Sequence, residues 1–83
     1  MITGAQIRAA RALLKLSTAG LAQRCILLHN IILQAEAVDD IPVIGSSALM
    51  AIKTTLDDAG IEFVGSLGVR MAHDTDELTG DAR

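Results

Sequence analysis

The chain has 83 residues, 51% of them hydrophobic, and a formal net charge of −3 at pH 7. That length bounds it to one small domain, which buries only about 60% of its unfolded surface. The negative balance disfavours a nucleic-acid protein that works through bulk charge. Phe63 is the only aromatic residue and Cys25 the only cysteine. The expected core is therefore Leu, Ile, Val, Ala and Met packed helix on helix, with no internal disulfide. A lone free cysteine fits a reduced, cytoplasmic setting. The opening MITGAQIRAAR has no basic leader ahead of an apolar run, which argues against a signal peptide. The oiliest stretch, CILLHNIILQA at 25–35, is about half a membrane span long and holds His29, Asn30 and Gln34. A soluble protein is expected.

Thr3 followed by Gln6 is a capping-box pattern that opens a first helix over about 4–15. Ile7, Ala10, Leu13 and Leu14 recur at helical spacing as its buried stripe, with Arg8, Arg11 and Lys15 on another face. Ser17 is a natural N-cap for TAGLAQRC, whose Leu21, Ala22 and Cys25 face inward. A third helix is expected over about 28–37. Its wheel puts Leu27, Leu28, Ile31, Ile32 and Ala35 on one side and His29, Asn30, Leu33, Gln34 and Glu36 on the other. Asp39-Asp40-Ile41-Pro42 breaks it. Ser46-Ser47 is the expected cap of a fourth helix, SALMAIKTTLDDAG, with Leu49, Ile52, Leu56 and Ala59 inward and Gly60 as its stop. IEFV alternates as a strand does, and GVRM is its candidate hairpin partner. Such a hairpin is marginal alone and must dock on the helices or on a second subunit. AHDTDELTGDAR, residues 72–83, is polar and acidic, the composition of a flexible tail.

Charge is unevenly spread along this plan. Arg8, Arg11, Lys15 and Arg24 lie early, and Lys53, Arg70 and Arg83 late. No basic residue occurs from Cys25 to Ile52, while Glu36, Asp39 and Asp40 add negative charge there.

The layout resembles the XRE-type, lambda-repressor-like helix-turn-helix family. The resemblance rests on MITGAQIRAARALL at 1–14, on Ser17, Ala19, Leu21-Ala22, Arg24 and Glu36, on Leu49 to Val64 (L-x-A-I-x-x-x-L-x-x-A-G-I-E-F), and on Gly68-Val69-Arg70. It implies a mainly α, four-helix helix-turn-helix domain over 1–71 with a short C-terminal hairpin, followed by the tail at 72–83. The family lays the second helix of its motif in the major groove. This chain departs where that chemistry belongs. Thr18 replaces a Gln that contacts phosphate and braces the third helix, and Gly20 replaces an acid. Ile26, β-branched and poorly suited to positive φ, replaces the turn glycine, which predicts a rebuilt turn. Leu28 replaces an N-cap Ser. His29, Asn30, Leu33 and Gln34 stand in place of Arg, Lys, Thr or Gln, and Ala37-Val38 in place of Arg-Gly.

A third helix without a cation, followed by acids, repels the phosphates whose neutralisation supplies most non-specific affinity. Asn30 and Gln34 retain hydrogen-bonding chemistry for adenine, at about 1–3 kcal/mol per good contact. That is weak against the loss of basic anchors. The expected reading is a degenerate motif that binds protein through Leu28, His29, Asn30, Leu33, Gln34, Ala37, Asp39 and Asp40. An apolar patch with a polar and acidic rim has an interface's profile. Within the family, the resemblance runs most closely to antiactivators of conjugative transfer carried by integrative conjugative elements. It implies masking of transcriptional activators, a LuxR-type quorum-sensing activator and a second transfer activator. The alternative is a DNA-binding repressor or antitoxin that sets Asn30 and Gln34 on bases and Arg8, Arg11 and Arg24 on phosphates. A third reading is a dimerisation module that pairs Ile61 to Val64 across subunits.

Other residues read more plainly. Leu27, Ile31, Ile32 and Ala35 are core, and Cys25 is a small core residue. Asp57-Asp58 is a solvated helix end, and the early basic cluster a solvated face that balances acids elsewhere. His29, His73 and Cys25 fit no zinc spacing. No Ser-His-Asp set, phosphate loop or paired-carboxylate site is recognisable, so neither an enzyme nor a cofactor is expected.

Overall fold

Helix α1 (Gly4–Leu13) begins where the Thr3–Gln6 spacing puts it. In the computed structural model, which describes residues 1–72, the Thr3 hydroxyl accepts from the Gln6 amide at 3.2 Å. The Gln6 side-chain oxygen accepts from the Thr3 amide at 3.0 Å, which completes the capping box. His73 and the acidic tail beyond it lie outside the described residues. The helix ends earlier than 15: Leu14 is its C-cap and Lys15 takes φ 57°. Ile7 and Ala10 are buried and Leu14 packs against the core, but Leu13, expected inside, is exposed. It sits on the last turn, where the chain leaves the core surface.

Helix α2 (Thr18–Cys25) matches the expectation, with the Ser17 hydroxyl accepting from the Gly20 amide at 2.9 Å and Leu21, Ala22 and Cys25 buried. Helix α3 (His29–Glu36) is bounded by Leu28 and Ala37 as its caps. Helix α4 (Ser46–Asp58) starts at Ser46 itself, so Gly45 is its N-cap and neither serine caps it. Leu49, Ile52 and Leu56 are buried along it, and Gly60 closes it at φ 97°. Strands β1 (Ile61–Val64) and β2 (Gly68–Met71) pair antiparallel, Ile61 opposite Met71 and Val64 opposite Gly68. Ile61 to Val64 thus finds its partner within the chain.

Over the described residues the fold is mainly α, four helices and one hairpin. α1 and α2 pack on α3, α2 on α4, α1 on β2 and α4 on β1. One core joins them: Ile2, Ile7, Ala10, Leu21, Ala22, Cys25, Ile32, Ala35, Leu49, Ile52, Leu56 and Ile61. The hairpin is held by polar contacts as well as by oil. The Gln6 side-chain amide donates to the Gly65 and Gly68 carbonyls at 2.8 and 3.1 Å. The Thr3 hydroxyl donates to the Ser66 carbonyl at 2.6 Å. On the α4 side, the Lys53 ammonium lies 5.6 Å from the centre of the Phe63 ring, within cation–π range. The capping box of α1 is therefore also the seat of the hairpin turn. Among the described residues no helix is long and apolar enough to cross a membrane.

Gln6 is buried, and both ends of its amide are used. Gln6→Ala removes these bonds and leaves a void, which is expected to cost about 2–4 kcal/mol. Urea unfolding followed by circular dichroism measures it. A loss under about 1 kcal/mol, the range of ordinary surface substitutions, contradicts the double role.

Candidate functional site

The first turn of α1 meets the end of α3 with no room between them. A methyl group on Gly4 would overlap the carbonyl oxygens of Val38 and Ala35. The Gly4 amide donates to the Asp40 carbonyl at 2.9 Å and the Ala5 amide to the Asp39 carbonyl at 3.4 Å. Two of the amides a helix start leaves open are thus satisfied by backbone. One turn on, Arg8 donates to the Glu36 carbonyl (2.5 Å) and the Val38 carbonyl (3.2 Å) and pairs with the Asp39 carboxylate. A cation on the exit carbonyls of α3 is also favoured by the helix dipole. Arg11 holds the Glu36 carboxylate with two nitrogens, Nε at 2.9 Å and Nη2 at 3.0 Å, and gives Nη1 to the Leu16 carbonyl at 3.0 Å.

Glu36 was expected on the outer face of α3, and the structure buries it at 8% exposure. The α1–α3 contact turns that position inward, and Arg11 makes its burial tolerable. Hydrogen bonding to Glu36 in turn pushes the Arg11 guanidinium above its ordinary pKa. The early basic cluster is thus not a free phosphate-binding face. Arg8 and Arg11 are spent on α3, while Lys15 and Arg24 have no carboxylate partner among the described residues. Over residues 1–72 charge balances: Arg8, Arg11, Lys15, Arg24, Lys53 and Arg70 against Glu36, Asp39, Asp40, Asp57, Asp58 and Glu62.

The eight residues singled out from sequence, Leu28, His29, Asn30, Leu33, Gln34, Ala37, Asp39 and Asp40, are all exposed. They run along α3 and past its C-terminal end, without forming a closed pocket. Leu28, which the wheel also placed with the inward set, is 72% exposed, because the N-cap position lies off the helical face. Leu33 is 50% exposed, as the wheel requires. Leu27 and Ile31 are only partly buried, while Ile32 and Ala35 are core.

The turn between α2 and α3 is not rebuilt. Ile26 takes φ 56°, ψ 47°, the left-handed conformation a glycine would take, and its amide bonds back to the Gln23 carbonyl at 3.2 Å. For a β-branched residue that conformation costs roughly 1–2 kcal/mol, and 91% exposure returns no burial. Leu28 then serves as an N-cap with no side-chain hydrogen bond to α3, leaving only its carbonyl to accept from the Ile31 amide at 3.0 Å. Two neighbouring positions therefore carry exposed, apolar side chains where glycine and serine would be more stable. Between them and α2 lies an open groove of about 800 Å³, walled by Ala19, Gly20, Gln23, Ile26, Leu28 and His29 among others. No Asp, Glu, Lys or Arg lines it. Thr18, the shorter residue where the resemblance implies a bracing Gln, still reaches α3: its hydroxyl lies 2.7 Å from His29 Nε2. Sequence reasoning did not place Ile26 in the site. The misfit of residue type to turn was the available signal.

Nothing else gathers into chemistry. Cys25 is buried, and burial pushes its thiol pKa up, so it is a poor nucleophile. Among the described residues no group of His, Cys, Asp and Glu could hold a metal ion. Asp57 and Asp58 are exposed at the end of α4, Asp57 paired with Lys53. A scan against protein-family models, a search of curated proteins and a search of solved structures each find no match.

Two substitutions test the turn. Ile26→Gly and Leu28→Ser should each raise unfolding free energy by about 1 kcal/mol, read from denaturation midpoints. An unchanged or lowered midpoint for Ile26→Gly would show that the isoleucine is not strained. Arg11→Met, which strands the Glu36 carboxylate, should cost about 2 kcal/mol, less than for a fully dry pair because Arg11 is partly exposed.

Proposed function

We propose that this protein is an antiactivator: it binds transcriptional activators through the exposed face of α3 and masks a surface they need. One observation carries the reading. The helix that would read bases has no cation, Leu28 and Leu33 are exposed at its start and along it, and Arg8 and Arg11 are already paired with Asp39 and Glu36. Phosphate neutralisation, the main source of DNA affinity, has little to draw on here. Exposed Leu28 and Leu33, together with His29, Asn30 and Gln34 and with Ala37, Asp39 and Asp40 beyond, suit a protein surface instead. Activity is steric, with no catalytic step and no cofactor.

The partners follow from the resemblance to XRE-type antiactivators of conjugative transfer: a LuxR-type quorum-sensing activator and a second transfer activator. Occupying them keeps transfer genes off while the antiactivator is in excess. The compartment that fits this role is the cytoplasm.

The test is binding of purified LuxR-type activator to wild-type protein and to Leu33→Asp, with the melting temperature of each variant measured in parallel. Leu33 is half-exposed, so Asp there should leave melting within a few degrees and weaken binding by about 100-fold, the loss of a central anchor. Equal binding by wild type and variant removes α3 from the interface. Collapse of the fold instead would make Leu33 core and leave the face without its anchor.

A further inference from the structure

Residues 37–45 join α3 to α4 without helix or strand. An exposed stretch of that kind ordinarily loses conformational freedom when it docks, at a cost in affinity. The first half of this one is already held. Four of the five successive carbonyls from Glu36 to Asp40 accept from α1. Glu36 and Val38 accept from the Arg8 guanidinium at 2.5 and 3.2 Å, Asp39 from the Ala5 amide at 3.4 Å and Asp40 from the Gly4 amide at 2.9 Å. The Asp39 carboxylate closes on the same guanidinium. Pro42, which is buried, anchors the far end. Between these anchors Ala37, Val38, Asp39, Asp40 and Ile41 are all exposed.

We infer that Arg8 is a positioning residue of the docking face: it holds residues 37–41 in one conformation, so that the face of α3 continues past Ala37 as a preorganised edge. The inference rests on the reading of α3 as a protein-docking helix. Two nitrogens of one planar guanidinium serve three acceptors on this edge. A lysine keeps the charge but not that fork. The two aspartates then have different tasks. Asp39 is spent within the chain, on Arg8. Asp40 is fixed by its backbone, and its carboxylate has no cation partner among the described residues, so it is the acid left for a cationic side chain of the partner.

The experiment is calorimetric binding of a LuxR-type activator to the full chain and to Arg8→Gln, Arg8→Lys, Asp39→Asn and the double substitution Arg8→Gln with Asp39→Asn. Denaturation midpoints and backbone amide relaxation of each free protein are measured beside it. Arg8→Gln should weaken binding about tenfold, the loss of a preorganised edge. Its midpoint should stay within a few degrees, and the relaxation change should be confined to residues 37–41. Arg8→Lys should recover little of the loss. Asp39→Asn should weaken binding alone and add nothing to Arg8→Gln, because the two side chains act as one unit. If Arg8→Gln lowers the midpoint further than this, Asp39→Asn, an exposed change, carries the same prediction by itself. Additive losses make Asp39 a contact of the partner and overturn the inference. So does weakened binding with relaxation at 37–41 unchanged, which makes Arg8 a direct contact, and so does full binding by Arg8→Gln. A wild type that binds while these variants behave otherwise sinks this inference alone; a wild type that does not bind sinks the docking reading and this inference with it.

Discussion

The grip of α1 on the end of α3 is the contact on which the other features depend. Gly4 lets the two backbones meet, the Gly4 and Ala5 amides close on residues 39 and 40, and Arg8 and Arg11 draw in Glu36, Asp39 and the last carbonyls of α3. Loosening this grip would free α3 to tilt, expose the Glu36 carboxylate and return two arginines to solvent. The same contact fixes the orientation of α3 and pairs Arg8 and Arg11 with acidic side chains. The other end of α1's first turn does a parallel task, since the Thr3–Gln6 box carries the hairpin turn at Gly65 to Gly68. A helix of ten residues thus organises a domain too small to rely on oil alone.

Stability is given up where α2 passes into α3. A left-handed isoleucine and an uncapped helix start sit next to each other, both greasy and both in water. Neither helps the domain fold. The Thr18–His29 contact keeps the two helices in register across the strained turn. What this arrangement provides is an exposed apolar edge beside a groove that no Asp, Glu, Lys or Arg lines.

Much of the fold was legible in the sequence because its signals are local. The Thr3–Gln6 box, the Ser17 cap, the Leu49–Ile52–Leu56 stripe, the Gly60 stop and the alternation of IEFV each specify an element without reference to the rest of the chain. What was not legible depends on contacts across the fold. A helical wheel puts Glu36 outside, because it knows nothing of Arg11 on another helix. Leu13 looked buried by spacing alone, and Ser46 and Ser47 looked like caps although the turn before them had already been closed by Gly45. At Ile26 residue preference argues for a changed turn, yet the chain takes the left-handed geometry and leaves the side chain outside. The outward set of α3 was readable from periodicity, whereas the groove beside it needed the placement of both helices.

The most direct test of α3 as a protein-docking rather than a base-reading helix is a titration of isotope-labelled protein with duplex DNA at low salt, following backbone amide shifts. A helix that docks on protein predicts no shifts on residues 28–37 of the folded domain. Shifts that gather there and vanish as salt rises, the signature of phosphate contacts, would make α3 a DNA reader and contradict the antiactivator reading.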